Sequence, residues 1–314
     1  MKRILIIRLS ALGDVALLVP VVRTLAEQYP ALRITMLSHC RMADLFAQMP
    51  SNVTFAGVDP KTQSLREIVA GLGRFDLVAD MHDVWRSRYI RGAMRLRKAK
   101  VRTICKGYWS KWLLTHHLIH RPLQSTIARY ADVLRILGFP ITLPTNRFHD
   151  KGQGIGIAPF AAHRGKAYPL KQMERVVQLL SERGEQIALF GGGAREEMIL
   201  ADWASKYKGV VNTAGKLNLA QQLGRMRSLR VMVTMDSANM HLASLVGTRV
   251  VSVWGATHPY AGFLGFGQQL TDCLQRDLPC RPCSVYGKKS CKYGDYRCLN
   301  ITPEEIIARL NDID

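Results

Sequence analysis

With 314 residues, 47% of them apolar and 22% charged, the chain holds more material than one hydrophobic core usually organises, so two soluble globular domains are expected. No apolar stretch approaches the roughly 20 residues of a membrane helix, which excludes a helical membrane span and makes any membrane contact peripheral. Forty-four Lys and Arg against 24 Asp and Glu leave a formal charge of +20, which predicts a polyanionic partner: nucleic acid, an anionic membrane surface or a phosphorylated substrate.

The opening "MKRILIIRLS" has the basic start and apolar run of a signal peptide, but Arg8 stops the run and no small-residue cleavage site follows. Residues 3–7 therefore read as a first strand, and the protein as cytoplasmic. Residues 14–28 repeat apolar side chains at helical spacing, with Pro20 predicting a kink or early break. "RITMLSH", "VTFAGV" and "FDLVADMH" are the next three strands. Residues 86–112 are dense in Arg and Lys, contain no acid, and interleave Tyr89, Tyr108, Trp109 and Trp112. Around 140–154 the composition turns to Pro, Gly and polar residues, as in a linker.

After the linker the alternation restarts. "GIGIAPF", "QIALFGG", "VVNTAG", "RVMVTMDS" and "RVVSVWG" read as strands, separated by helical patterns at "LKQMERVVQLLSERG", "REEMILADWASKY", "LAQQLGRMRS" and "MHLASLVG". "TPEEIIARLNDI" is a closing helix, with Thr302 as N-cap and Glu305 three residues on. The expectation is an α/β protein of two doubly wound domains, 1–148 and 149–314, with a ligand cleft at their strand C-terminal ends and the last helix free to pack back on the first domain.

Two constellations carry candidate chemistry. In "RLSALGDVALLVP", Gly13 permits a tight strand-to-helix turn whose N–H groups can receive an anion, and Asp14 follows it. Neither G-x-G-x-x-G nor G-x-x-x-x-G-K-[ST] is present, which removes the main support for a dehydrogenase or a P-loop kinase. Asp14 is either a helix-capping or first-turn acid, or a general base. In "MDSANMHLASLVGTRVVSVWGATHP", Asp236 and Ser237 end a strand, His241 follows within a helix, and Thr257 lies in the turn after the next strand. Taken singly His241 reads as structural, whereas the group suits a diphosphate.

"IRLSALGDV", "KAYP" at 166–169, "LFGGGAREE" at 189–197, "AGKLNLAQ" at 214–221, "DSANMHLAS" at 236–244, "WGATHP" at 254–259 and a cysteine-rich tail occur in the order seen in glycosyltransferase family 9, which the chain resembles over nearly its whole length. That family contains the ADP-heptose:lipopolysaccharide heptosyltransferases, and the tail makes the chain most similar to the heptosyltransferase II type. The resemblance implies a GT-B architecture of two Rossmann-like domains facing a central cleft, the first binding acceptor and the second the nucleotide sugar. It implies inverting transfer of heptose from ADP-heptose to the inner core of lipopolysaccharide at the inner face of the inner membrane. The family's base falls on Asp14, its donor-phosphate lysine on Lys166, and its Asp-Ser/Thr-Gly motif with downstream His on Asp236, Ser237 and His241; Gly13 and Thr257 join the donor group. Ala238 replaces the usual Gly, Tyr168 the common Trp, and Ala161 and Ala162 hydroxyl residues, departures that bear on donor identity more than on fold. A cation and helix N-termini can neutralise the diphosphate, and no D-x-D pair is placed to hold a metal, so no catalytic cofactor is expected.

The basic segment fits a lipid-linked phosphorylated acceptor and an anionic membrane surface, with Arg86, Arg88 and Arg91 as acceptor candidates; nucleic-acid binding without catalysis is the rival reading, and a different donor or acceptor the nearer one. Cys280, Cys283, Cys291 and Cys298 form a CxxC with two further cysteines, a candidate structural zinc set.

Overall fold

The structure, a computed structural model, describes residues 1–145, 148 and 152–313. They form two compact units, one of Met1–Lys106 with Thr126–Thr145, the other of residues 107–125 with the described residues from Phe148 onward. The expected boundary at 148/149 adjoins residues 146, 147 and 149–151, which lie outside the described residues.

In chain order the first half runs β1 (Arg3–Ile7), α1 (Leu12–Gln28), β2 (Arg33–His39), β3 (Val53–Val58), α2 (Leu65–Gly71), β4 (Leu77–Asp80), α3 (Trp85–Leu96), β5 (Lys100–Thr103), α4 (Tyr108–Thr115) and α5 (Thr126–Leu137). All five strands are parallel, in the order β3-β2-β1-β4-β5. Ile4–Ile7 are fully buried, which is why this strand is a continuous apolar run. Helix α1 does not break at Pro20. Leu17, Leu18, Val21, Val22 and Leu25 are buried on either side of it, and that packing outweighs the one backbone bond the proline removes.

The second half runs β6 (Ile155–Ile157), α6 (Leu170–Glu182), β7 (Ile187–Leu189), α7 (Ala194–Lys206), β8 (Val210–Asn212), α8 (Leu219–Arg227), β9 (Val231–Met235), α9 (Ala238–Leu245), β10 (Arg249–Trp254), β11 (Cys273–Gln275) and α10 (Pro303–Asn311). The six strands are again parallel, ordered β11-β10-β9-β6-β7-β8. Thr302 caps α10 and Glu305 closes the capping box, as the sequence predicts. The apolar face of α10, Ile306, Ile307 and Leu310, lies in the second unit's own core beside α6.

Residues 107–125, read on sequence as part of the first domain, belong to the second unit. Leu123 N–H donates to Tyr260 O at 2.8 Å, and Lys111 Nζ lies 4.4 Å from the Phe263 ring centre. Gly262, at φ +84°, admits no side chain because a Cβ there would stand 2.5 Å from Gln124 O. The basic segment is therefore split, α3 and β5 in one unit and α4 in the other.

Candidate active site

In the first unit, β1 and β4 end side by side, and the loops after them carry charged groups. Helix α1 begins after Ala11 with no side-chain cap, so Asp14 is a first-turn acid and not the cap. Its carboxylate pairs with the guanidinium of Arg8, which is buried and also donates to Met81 O at 2.6 Å. Tyr130 O–H donates to Asp14 O at 3.3 Å. His82, which the sequence reading passed over as the end of "FDLVADMH", is buried here. Its Nδ1 accepts from Leu9 N–H at 3.4 Å, and its Nε2 lies 3.5 Å from Ser10 Oγ. Burial, then the charges of Arg8 and Lys106, push its pKa down to about 4, so it holds the opening loop as a neutral imidazole.

The acceptor candidates are largely engaged with this unit. Fully buried Asp80 accepts from His82 and Asp83 N–H, from Ser87 Oγ, and from Arg91 Nη1 at 2.9 Å. Arg91 also bonds Asp83 and Thr103, and Arg88 pairs with Asp83. Burial opposes ionisation of Asp83, but the bonds from Arg88 and Arg91 outweigh it and hold its carboxyl below the usual range. Arg86 lies over the exposed Trp85 ring, 4.7 Å from its centre. Arg91 thus acquires a structural role that the sequence did not show.

In the second unit, β6, β9 and β10 are neighbours, and their C-terminal loops bring the donor candidates together. Lys166 Nζ sits 2.7 Å from Asp236 Oδ2, with Asp236 buried and Lys166 mostly so. Ser237 is the N-cap residue of α9 without a capping bond; its Oγ lies 3.1 Å from Thr234 Oγ1, which donates to Ala158 O. His241 is buried in α9. Thr257 is wholly buried, and among the described residues its hydroxyl finds no hydrogen-bond partner. Ala256 N–H donates to Gly165 O at 2.7 Å, joining the loop of Lys166 to that of Thr257. Gly255 permits the approach, since a Cβ there would stand 2.5 Å from Gly165 O. Tyr168 is buried and donates to Ile301 O at 2.6 Å. Gly13, grouped with the donor residues on sequence, lies in the first unit beside Asp14.

All four tail cysteines are free thiols; no three of their sulfurs lie within 4.8 Å of one another, but Cys280 and Cys291 act electrostatically on Cys283, and Cys283 and Cys291 on Cys298. Cys298 is buried in the second core, where burial raises its pKa to about 11, whereas Cys291 sits in a turn near Asp295. Among the described residues the one convergent group is His39, Cys40 and Asp59, with Sγ 3.5 Å from Nδ1 and Nε2 3.5 Å from Oδ1. Nδ1 already accepts from Arg41 N–H at 3.2 Å, which occupies a lone pair a metal would need. A buried arginine that no motif signalled, Arg281, donates to Gly255 O at 2.5 Å and Thr257 O at 2.9 Å. Next to it opens a cavity of about 360 Å³ lined by His120, His258, Tyr260 and Arg276; His258 there is neutral, pushed to about 4 by burial and by Arg281.

Residues 71–294 match the family described as glycosyltransferase family 9 (heptosyltransferase). The chain belongs to glycosyltransferase family 9. The glycosyltransferase is 24% identical over 277 residues to lipopolysaccharide heptosyltransferase 3 of Escherichia coli (strain K12), covering 78% of this chain and 80% of that one. Its fold matches the family 9 glycosyl transferase of Veillonella parvula DSM 2008 with a TM-score of 0.74 at 19% identity, over 99% and 97% of the two chains. It also matches the E. coli heptosyltransferase WaaC with ADP, at a TM-score of 0.70 and 18% identity over the whole of both chains. The two parallel α/β units are those of the GT-B architecture. Among the described residues, no helix is long and apolar enough to cross a membrane.

Proposed function

We propose that this glycosyltransferase is a heptosyltransferase of lipopolysaccharide core synthesis, moving heptose from ADP-heptose to a lipid-linked inner-core acceptor with inversion at the sugar carbon. The observation that carries the reading is the Lys166–Asp236 ion pair beside the unpartnered Thr257 hydroxyl and the uncapped start of α9. The heptosyltransferase names of its relatives, one of them bound to ADP, supply the donor class.

The leaving group is a diphosphate whose charge grows as the bond to the sugar breaks. Lys166 Nζ, the Thr257 hydroxyl and the free N–H groups of α9 are donors fixed before the reaction, so they stabilise that charge without reorganising. Asp236 holds Lys166 at this position until the diphosphate arrives to share the cation. In the first unit Asp14 takes the proton of the acceptor hydroxyl while that oxygen attacks the anomeric carbon and the diphosphate leaves. Arg8 and the His82-held loop fix the direction of its carboxylate. One displacement with no covalent sugar-enzyme intermediate gives inversion.

For the acceptor and membrane, α3 exposes Trp85 and Tyr89 among Arg86, Arg88 and Arg95, and α4 exposes Tyr108, Trp109 and Trp112 with no acid between residues 84 and 131. Indole rings favour the lipid–water boundary and each nearby cation adds about 1 kcal/mol toward anionic headgroups, which supports peripheral attachment to the cytoplasmic leaflet. The test is transfer from a panel of nucleotide sugars to heptose-deficient lipopolysaccharide core, alongside calorimetry with ADP, UDP and GDP. Selective ADP binding with transfer from ADP-heptose is expected; equal binding of the three nucleotides, or transfer only from another sugar, would overturn the donor assignment.

A further inference from the structure

The tail from Arg281 to Gly287 makes a dense set of bonds that neither a metal site nor a core requires. Arg281 donates through Nε to Gly255 O, through Nη2 to Thr257 O and Gln275 Oε1, and through Nη1 to Arg276 O. Cys283 and Ser284 N–H both reach Ala256 O at 3.2 Å. The turn Gly255–Thr257 is thereby held at each residue, and Ala256 N–H passes the constraint to Gly165 O, the residue before Lys166. From the other side Gly287, at φ +75°, lies against the lysine itself. A Cβ there would stand 2.6 Å from Lys166 Cγ and 3.3 Å from Cδ and Cε. Cγ is the root of the stem, so the side chain cannot yield there without carrying Nζ away from Asp236.

We propose that Arg281–Gly287 is a bracket that positions the phosphate-binding lysine, with Arg281 locking the turn of Thr257 and Gly287 leaving the space through which Lys166 reaches Asp236. The diphosphate role of Lys166 rests on the function proposed above; the bracket itself rests on these contacts. Arg281 and Gly287 are positioning residues, acting through Lys166 and Thr257.

Gly287→Ala and Gly294→Ala form a matched pair. Gly294 has φ +76°, the same backbone strain, but a Cβ there meets nothing within 4 Å. Gly287→Ala is expected to weaken ADP binding by about tenfold or more, to lower kcat as well because Lys166 meets the charge that grows on the leaving diphosphate, and to speed acylation of Lys166 by acetic anhydride, read by mass spectrometry. Gly294→Ala is expected to move none of these. Equal effects in the two variants, or none in Gly287→Ala, would overturn the bracket. Should Gly287→Ala fail to fold, Arg281→Lys is read in the same assays: raised Lys166 acylation with weaker ADP binding supports the bracket, and wild-type values overturn it. Wild-type protein giving no heat with ADP would defeat the nucleotide reading, and Lys166 acylation would then decide the bracket by itself.

Discussion

Replacing Asp14 by Asn removes a charge and a proton acceptor while keeping size and shape. General-base catalysis contributes about 10²–10⁴-fold, or roughly 3–5 kcal/mol of barrier, so kcat is expected to fall by that factor. Stability responds far less. Asp14 is 30% exposed and its partner Arg8 is 9% exposed at the side chain, which places their pair between a surface pair at about 0–1 kcal/mol and a broken buried pair at about 3–5 kcal/mol. The Asn amide oxygen can still accept from Arg8, and Arg8 keeps its bond to Met81 O, so a loss of about 1 kcal/mol and a Tm lower by about 2–4 °C are expected. On the proposed roles, ADP affinity rests on Lys166 and its neighbours and should stay within about twofold of wild type. ADP release under single-turnover conditions, calorimetry with ADP and thermal unfolding check the three expectations. Turnover within about fivefold of wild type in a folded Asp14→Asn variant would refute the base, since a general base typically contributes about 10²-fold or more.

Lys166→Ala should weaken ADP by about ten- to a hundredfold, the range of a charge-assisted bond to phosphate, and leave Asp236 buried without its cation; unchanged calorimetry would remove Lys166 from the donor site. His82 titrates near 4 in the fold against 6.5 when free, so the unfolded chain binds more protons between those values. Its contribution is present above pH 6.5 and is lost as pH falls toward 4, by about 2–3 kcal/mol, and urea midpoints for His82→Gln should show a flatter decline over that window than wild type. Gly262→Ala forces a side chain against Gln124 O at positive φ, so it should release residues 107–125 to limited proteolysis and lower stability by about 2 kcal/mol; an unchanged cleavage pattern would contradict the docking of that segment.

The alternation of strand and helix, the two α/β halves, the capped final helix and the strand-end positions of Asp14, Asp236 and Thr257 were all legible in the sequence. Each rests on a local regularity, an apolar period or a turn residue that burial imposes within a few positions. Pairings across long stretches of chain were not legible. Lys166 meets Asp236 from 70 residues away, and Arg91 was a free acceptor candidate until the fold set it on Asp80 and Asp83. The spacing of the four tail cysteines suggested zinc, but spacing along a chain fixes no distance across a loop, and only the fold decides which sulfurs approach one another. Residues 107–125 carry no pattern to assign them to the second unit; only the contacts with Tyr260, Phe263 and Gly262 do so. Periodicity determines which face of an element is buried, and the tertiary structure decides against what.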